Sequence, residues 1–370
     1  MNRIRFFVFF VIMTSAFSTA FAEDTLNIAA IYALTGPAAE GNTASLLGVR
    51  IGAEEINKQG GIIGKKIKLL VFDNLSTPIG SNIAAEKAAE AEVTAILGAS
   101  WSSHSIAIAK VAQSRRIPML SNYSTNPDVT KIGKYIFRVC FTDEFQGSVT
   151  ARFVRRDMNA ATAVVFTNLA SNYSLKLSEI FRKKFEQSGG KVVGEAAYKP
   201  KQLIYDKHIR TAKRANSDVL FLSGQDESGL IVKHAQDAGI SSVPIGGDGW
   251  DEPSFLSKGG SELKQGYYCT HWSESADSKI SRSFVKKYKN TENFGTGTAL
   301  AYDAVMVLAD AITRAGSTDR DKIRDALAKT RSFKGVTGTI SFDANGDPIK
   351  SAVIMEIRNG KPHYFKTVEP

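Results

Sequence analysis

The chain has 370 residues, with 47 lysines and arginines against 37 aspartates and glutamates, a formal net charge of +10 and 43% hydrophobic residues. That length and apolar content support two domains with separate cores, so no covalent staples are needed for folding. The densest basic clusters, Arg152, Arg155, Arg156 and Arg182, Lys183, Lys184, alternate with apolar residues, which reads as solvated helix faces and not as a nucleic-acid surface.

The N-terminus reads as an export signal. Arg3 and Arg5 form a basic start, Ile4 to Met13 is almost wholly apolar, and Ala20-Phe21-Ala22 supplies small residues where a signal peptidase needs them. Residues 1–22 are therefore expected to be cleaved off. The apolar run is shorter than the ~20 residues that span a bilayer, which argues against an uncleaved anchor. No cysteine stands near the cut and no later run is long and apolar enough to cross a membrane. The mature protein is expected in the periplasm.

Strands and helices then alternate. A strand over 26–34 leads to a helix over 44–58, ended by Gly60-Gly61, a strand over 66–72 and a helix over 79–91. The apolar run 93–97 reads as a short buried strand, 105–115 as a helix, and 118–121 and 135–141 as further strands. A second series follows: helix 144–158, strand 163–167, helix 173–187, strand 192–198, helix 205–215, strand 219–222, helix 228–238, and strands 243–246 and 266–271. Strands separated by helix-length segments imply parallel sheets covered on both faces. The fold expected is α/β with two similar lobes, each a parallel sheet flanked by helices.

The last hundred residues add helices over 279–289, 298–314 and 319–329 and strands over 338–342, 352–358 and 364–368. Asn359-Gly360 between two alternating runs signals a hairpin. Too little remains for a third sheet, so these elements complete the two lobes. The chain then crosses three times, near Phe141, Thr270 and Gly335, giving a first lobe of 23–141 plus 271–335 and a second of 142–270 plus 336–370.

Ligands of open parallel sheets sit beyond the carboxyl ends of the strands, and two facing lobes make the cleft between them the natural site. Gly98-Ala99-Ser100-Trp101-Ser102-Ser103-His104-Ser105 lies where a strand gives way to a helix. Ser102 and Ser103 are placed to cap that helix, whose unpaired amides and dipole hold a carboxylate without a charged side chain. Beyond the next strand, Ser121 to Pro127 again ends in hydroxyl residues, so the two loops are expected to converge on one anion. Asp248, flanked by glycines in Gly246-Gly247-Asp248-Gly249, follows a second-lobe strand and offers an ammonium partner across the cleft. An isolated Ser-Ser pair or a glycine-flanked acid is ordinarily a cap or a turn. Together they describe a zwitterion.

Catalytic and nucleotide motifs are missing: there is no Gly-x-Ser-x-Gly elbow, His-Glu-x-x-His, Cys-x-x-Cys or phosphate-binding glycine loop. Of five histidines only His104 is expected beside the site, as a helix-start residue. Cys140 and Cys269 match no metal spacing, and in an oxidising compartment they leave a disulfide and two buried thiols both open. No cofactor is expected.

Thr35-Gly36-Pro37, Ile56-Asn57 with Gly60-Gly61-Ile62 and Gly64, Asp73, Gly98 with Ser102-Ser103, Ser121 with Thr125-Asn126-Pro127, Phe137-Arg138 and Gly247-Asp248-Gly249 occur in an order that resembles the leucine/isoleucine/valine-binding periplasmic proteins of ABC transporters. The resemblance covers essentially the whole mature chain. It implies a type I two-lobe fold with a three-segment hinge. It also implies a carboxylate clamp at Ser102 with Tyr123, Ser124 and Thr125, an aromatic contact at Tyr173, and an ammonium acceptor at Asp248. Gly41 stands where the family offers a bulky wall, and Gln225-Asp226 where it offers an aromatic, so Trp101, Trp250 and Tyr123 are the candidates for new walls of the side-chain pocket. In this family the first two crossing strands run side by side, which brings Cys140 and Cys269 within reach of a disulfide. The expected function is capture of a small amino acid by a monomer that delivers it to a membrane permease. A ligand-sensing subunit and an amidase-like α/β enzyme are the rivals.

Overall fold

The computed structural model describes residues 25–199 and 205–370; the expected leader lies outside the described residues. The first lobe runs through β1 (Thr25–Tyr32), α1 (Ala39–Lys58), β2 (Lys66–Asp73), α2 (Pro78–Glu90), β3 (Ala95–Gly98), α3 (Ser102–Ser114), β4 (Met119–Ser121) and β5 (Ile136–Arg138). Its five strands are parallel, in the order β2-β1-β3-β4-β5. Alternate residues of β1 serve opposite faces. Leu26, Ile28 and Ala30 pack into one core with α1, while Ala29 and Ile31 pack with α2 and α3 into another. A central strand buried on both faces has to be apolar throughout, which is why Ala95-Ile96-Leu97 carries no polar residue.

The second lobe contains α4 (Asp143–Arg152), β6 (Thr162–Asn168), α5 (Asn172–Gln187), β7 (Lys191–Tyr198), α6 (Asp206–Ala215), β8 (Val219–Leu222), α7 (Glu227–Asp237), β9 (Val243–Gly246), α8 (Pro253–Ser257) and β10 (Gln265–Thr270). The remaining elements are α9 (Lys279–Tyr288), α10 (Thr296–Ala315), α11 (Arg320–Ala328), β11 (Phe333–Gly335), β12 (Gly338–Phe342), β13 (Pro348–Ile349), β14 (Ala352–Arg358) and β15 (Lys361–Val368). The second sheet has the order β15-β14-β10-β9-β8-β6-β7, parallel from β10 to β7 and antiparallel at β14 and β15. Arg358 pairs with Lys361 across Asn359 and Gly360, whose φ values of 47° and 73° are the two positive angles a type I′ hairpin requires.

The third crossing differs from the expected one. β12 pairs with β11 and β13 in a small antiparallel sheet, and its Ile340 and Phe342 pack in the first lobe's core, Phe342 lying 5.3 Å from Phe137. Residues 336–349 therefore pack with the first lobe, and the chain crosses between Ile349 and Ala352, whose side chain joins the second core. The two cysteines are free. Cys140 packs in the first lobe's core with its thiol donating to the Ser124 carbonyl at 3.3 Å, and Cys269 packs in the second lobe's core, so the possible disulfide is not formed.

Candidate ligand-binding cleft

Three strand ends of the first lobe build one wall. Gly98 closes β3 at φ +126°, where a Cβ would sit 2.1 Å from the Ile31 carbonyl oxygen, so only glycine lets the chain turn this close to β1. The following loop is tied to its neighbour by buried serines. Ser105 Oγ accepts from the Ala99 amide at 3.0 Å, Ser121 Oγ donates to the Ala99 carbonyl at 3.0 Å, and Ser124 Oγ donates to the Ser100 carbonyl at 2.9 Å while also meeting Ser105 Oγ at 2.7 Å. The Arg138 guanidinium, fully buried and 2.6 Å from Asp347, donates to the Ser124 and Asn126 carbonyls at 2.6 and 2.9 Å. These bonds hold the 121–126 loop against the start of α3.

The helix begins one step earlier than the serines suggest. Trp101 occupies the cap position and among the described residues no side chain caps α3, so Ser102 and Ser103 lie in its first turn. The first amides of a helix lack the usual intrahelical partners, and of these the His104 amide bonds the Trp101 carbonyl at 3.0 Å. Ser102 Oγ accepts from the Asn126 amide at 3.3 Å, and the buried Thr125 Oγ has no partner among the described residues. His104 is buried, stacks on Trp101 at 5.5 Å, and is driven by burial to a pKa of about 4. It is a packing residue behind the wall.

The opposite wall starts at the end of β9. A 3₁₀ turn over Asp248–Asp251 presents Asp248, only 2% exposed. Gln146 Nε2 donates to its Oδ1 at 2.5 Å, and His271 Nε2 stands 3.0 Å from its Oδ2. Burial lowers the His271 pKa, against the pull of Asp248, so the ring acts as a neutral donor. The carboxylate is thus oriented by an amide and an imidazole, and its charge is not cancelled by either. Tyr173 OH accepts from the Gly249 amide at 3.3 Å, beside the same carboxylate. Asp143 lies buried behind, its carboxyl pushed well up by burial and by Asp248.

The lobes stand close. Trp101 Nε1 donates to Glu252 Oε1 at 3.2 Å, Tyr123 OH to the Asp248 carbonyl at 3.4 Å, and Asn126 Nδ2 to the Asn172 carbonyl at 2.9 Å. Between them is a narrow space of about 20 Å³, room for roughly one water, lined by Ser102, Tyr123, Thr125, Tyr173, Gln225 and Asp248 together with Trp101 and Glu252. Three of its lining residues, Ser100, Tyr123 and Glu252, also border a cavity of about 620 Å³.

Other expected residues fall elsewhere. Ser103 is half-buried on the far side of the first turn, and Ser124 is turned into the serine network. Trp250 stacks on Phe255 at 4.5 Å in the second lobe's core, is only 2% exposed, and borders the larger cavity. Asp226 is paired with Lys258 beside α7. His271, not His104, is the histidine of the site. Gln146, His271 and Glu252 were not singled out from sequence: the first two follow no motif, and only the acid run Asp251-Glu252 behind Asp248 hinted at the third.

Two α/β lobes whose strand ends face each other, one wall built from a helix N-terminus and hydroxyls and the other from a buried acid, define a solute-binding protein. A profile of the family described as periplasmic binding protein matches residues 25–362, and the chain belongs to that family, with its type I fold. The leucine-, isoleucine-, valine-, threonine- and alanine-binding protein of Pseudomonas aeruginosa is 26% identical over 334 residues, 89% of each chain. Among solved structures, the leucine-binding protein LivK of Thermotoga maritima superposes with a TM-score of 0.89 at 34% identity, over 94% of this chain and 99% of that one. LivJ of Streptococcus pneumoniae, a branched-chain amino acid transporter binding protein in complex with isoleucine, gives 0.88 at 30% identity over 94% and 100%. All three relatives are named as amino-acid-binding proteins or transporter substrate-binding proteins. Among the described residues no helix is long and apolar enough to cross a membrane.

Proposed function

We propose that this protein captures an α-amino acid between its lobes in the periplasm, after removal of residues 1–22, and delivers it as a monomer to the permease of an ABC transporter. The observation that carries the reading is the opposition of the uncapped start of α3, with Ser102 and Thr125, to Asp248, oriented by Gln146 and His271. An α-carboxylate at the first wall gains the helix amides and hydroxyls, and an α-ammonium at the second meets the uncompensated carboxylate. Tyr173 and Tyr123 complete the frame, and Gln225 borders it. Only a ligand touching both lobes favours closure, because its contacts are complete in that state alone, and the closed form is what a permease can distinguish.

The chain acts by binding, without turnover. Among the described residues Ser102 Oγ meets the Asn126 amide and His271 Nε2 meets Asp248, so the serine and the histidine are not paired as nucleophile and base. Calorimetry of the purified, ligand-stripped protein with a panel of L-amino acids tests the reading, alongside small-angle scattering. Saturable binding with a smaller radius of gyration is expected. Identical scattering with and without a bound amino acid would refute closure, and a panel without binding would refute the ligand class.

A further inference from the structure

We propose that Glu252 makes this cleft select an α-amino acid whose side chain ends in a cation, an ammonium or guanidinium group, over one with a branched aliphatic side chain. The inference rests on the α-amino-acid reading above and adds the identity of the side chain. With the carboxylate held near Ser102 and the ammonium at Asp248, the side chain must leave through the remaining opening. The large cavity is the space beside the narrow one, and Glu252 is one of the residues that border both.

Glu252 reaches across from the second lobe to the first turn of α1. A Cβ on Gly41 would lie 2.7 Å from Glu252 Oε2, so the carboxylate occupies the place where a side chain at position 41 would stand. Oε1 accepts from Trp101 Nε1 at 3.2 Å. No donor among the described residues is placed on Oε2. Asp251, next in the wall, is already bonded by Thr270 and by Tyr268, the latter at 3.4 Å, so of this adjacent pair Glu252 is the acid left open.

The rest of the cavity suits a cation as well. Trp250, Trp272, Tyr268 and Phe294 line it, Glu274 adds an acid, and its lining contains neither lysine nor arginine. Aromatic rings and an acid that ionises beside a cation favour a basic side chain, whereas an aliphatic one offers the buried carboxyl no polar partner. Burial already raises the Glu252 pKa to about 8, so without a positive partner the carboxyl holds its proton at neutral pH. An amino acid with a long basic side chain supplies that partner, and discrimination comes from the penalty imposed on the apolar competitor.

The test is calorimetry on ligand-stripped wild-type protein with L-lysine, L-arginine, L-norleucine and L-leucine, norleucine having the lysine chain without the terminal ammonium. A basic amino acid is expected to bind at least about tenfold more tightly than norleucine, and Glu252→Gln to bring the two within roughly threefold by weakening the basic ligand, as loss of a charged hydrogen bond requires. Norleucine or leucine binding more tightly than both basic amino acids to wild type would overturn the proposal and leave the α-amino-acid reading intact. An unchanged ratio in Glu252→Gln, with norleucine binding retained as proof of folding, would overturn the role of Glu252. Absence of binding by every amino acid tested would instead remove the underlying reading, and this inference with it.

Discussion

Replacing Asp248 by asparagine isolates the charge at the centre of the cleft. The asparagine amide has the same shape, and one neighbour must adapt: among the described residues Gln146 Oε1 and His271 Nδ1 have no partner, so an amide flip or a tautomer change lets one of the two side chains accept from the asparagine amide. The fold is expected to survive with a lower melting temperature, because the N–H displaced by that change has no acceptor. Binding should not. A desolvated ammonium that loses its counter-charge costs about 3 kcal/mol or more, which corresponds to a Kd raised on the order of a hundredfold. Calorimetry with the preferred amino acid and with its analogue lacking the α-amino group separates charge pairing from shape. The analogue should bind the variant at least as well as it binds wild type, because its apolar α-carbon no longer faces a buried carboxylate. An Asp248→Asn protein with unchanged amino acid affinity, or with equal losses for both ligands, would refute the assignment of Asp248 to the ammonium.

Three further outcomes follow from the same geometry. Ser102→Ala should weaken amino acid binding by about 1.5–3 kcal/mol, less than the Asp248 change, since one hydrogen bond to a charged group is lost while the helix amides remain; calorimetry reads it directly. Burial, and then the neighbouring Asp226, raises the Glu252 pKa from 4.5 to about 8, so the folded protein holds that proton more tightly than the unfolded chain does. The stability of ligand-free wild type relative to Glu252→Gln should accordingly fall as pH rises from about 4.5 towards about 8 and then level off. Urea melts across that window check it, and a difference that stays flat with pH would contradict the burial of the carboxyl. Finally, burial pushes the Cys140 thiol up to about 12 and raises Cys269 as well, so neither should react with a thiol reagent in the native protein at neutral pH. Both should titrate once the protein is denatured without reductant, and recovery of fewer than two thiols would show a bond that the folded structure does not contain.

Much of the fold was legible because burial on both faces of a parallel strand leaves a continuous apolar run with helices on either side. Strands β8, β9, β12 and β14 have the expected bounds, and the Asn359-Gly360 hairpin has the expected turn. The third crossing was not legible for a related reason. Alternation in Gly338–Phe342 marks a strand but carries no information about which sheet receives it, and the packing of Ile340 and Phe342 beside Phe137 is decided only by the assembled core. The extended start of α1, five residues before the expected one, hides in Ala39-Glu40-Gly41-Asn42-Thr43, where a glycine and small polar residues give no helical period.

At the cleft the sequence located the loops but not the direction of each side chain. Ser102, Ser103, Ser124 and Thr125 are alike as hydroxyl residues beyond strand ends, yet Ser124 is drawn inward by Ser105 and the Ser100 carbonyl while Ser102 and Thr125 are left at the surface of the wall. That sorting depends on which hydroxyl can satisfy a buried backbone group, a property of two loops placed side by side. His271 and Glu252 lie further beyond reach, because each acquires its role from a residue distant in sequence: His271 from Asp248, and Glu252 from Gly41 and Trp101 on the other lobe. The absence of a side chain at Gly41 is what lets an acid of the second lobe stand in the first lobe's wall. The chemistry offered to a ligand's side chain is therefore set by a pair of positions that only the closed arrangement brings together, and the α-amino-acid frame can stay fixed while that pair changes what the frame selects.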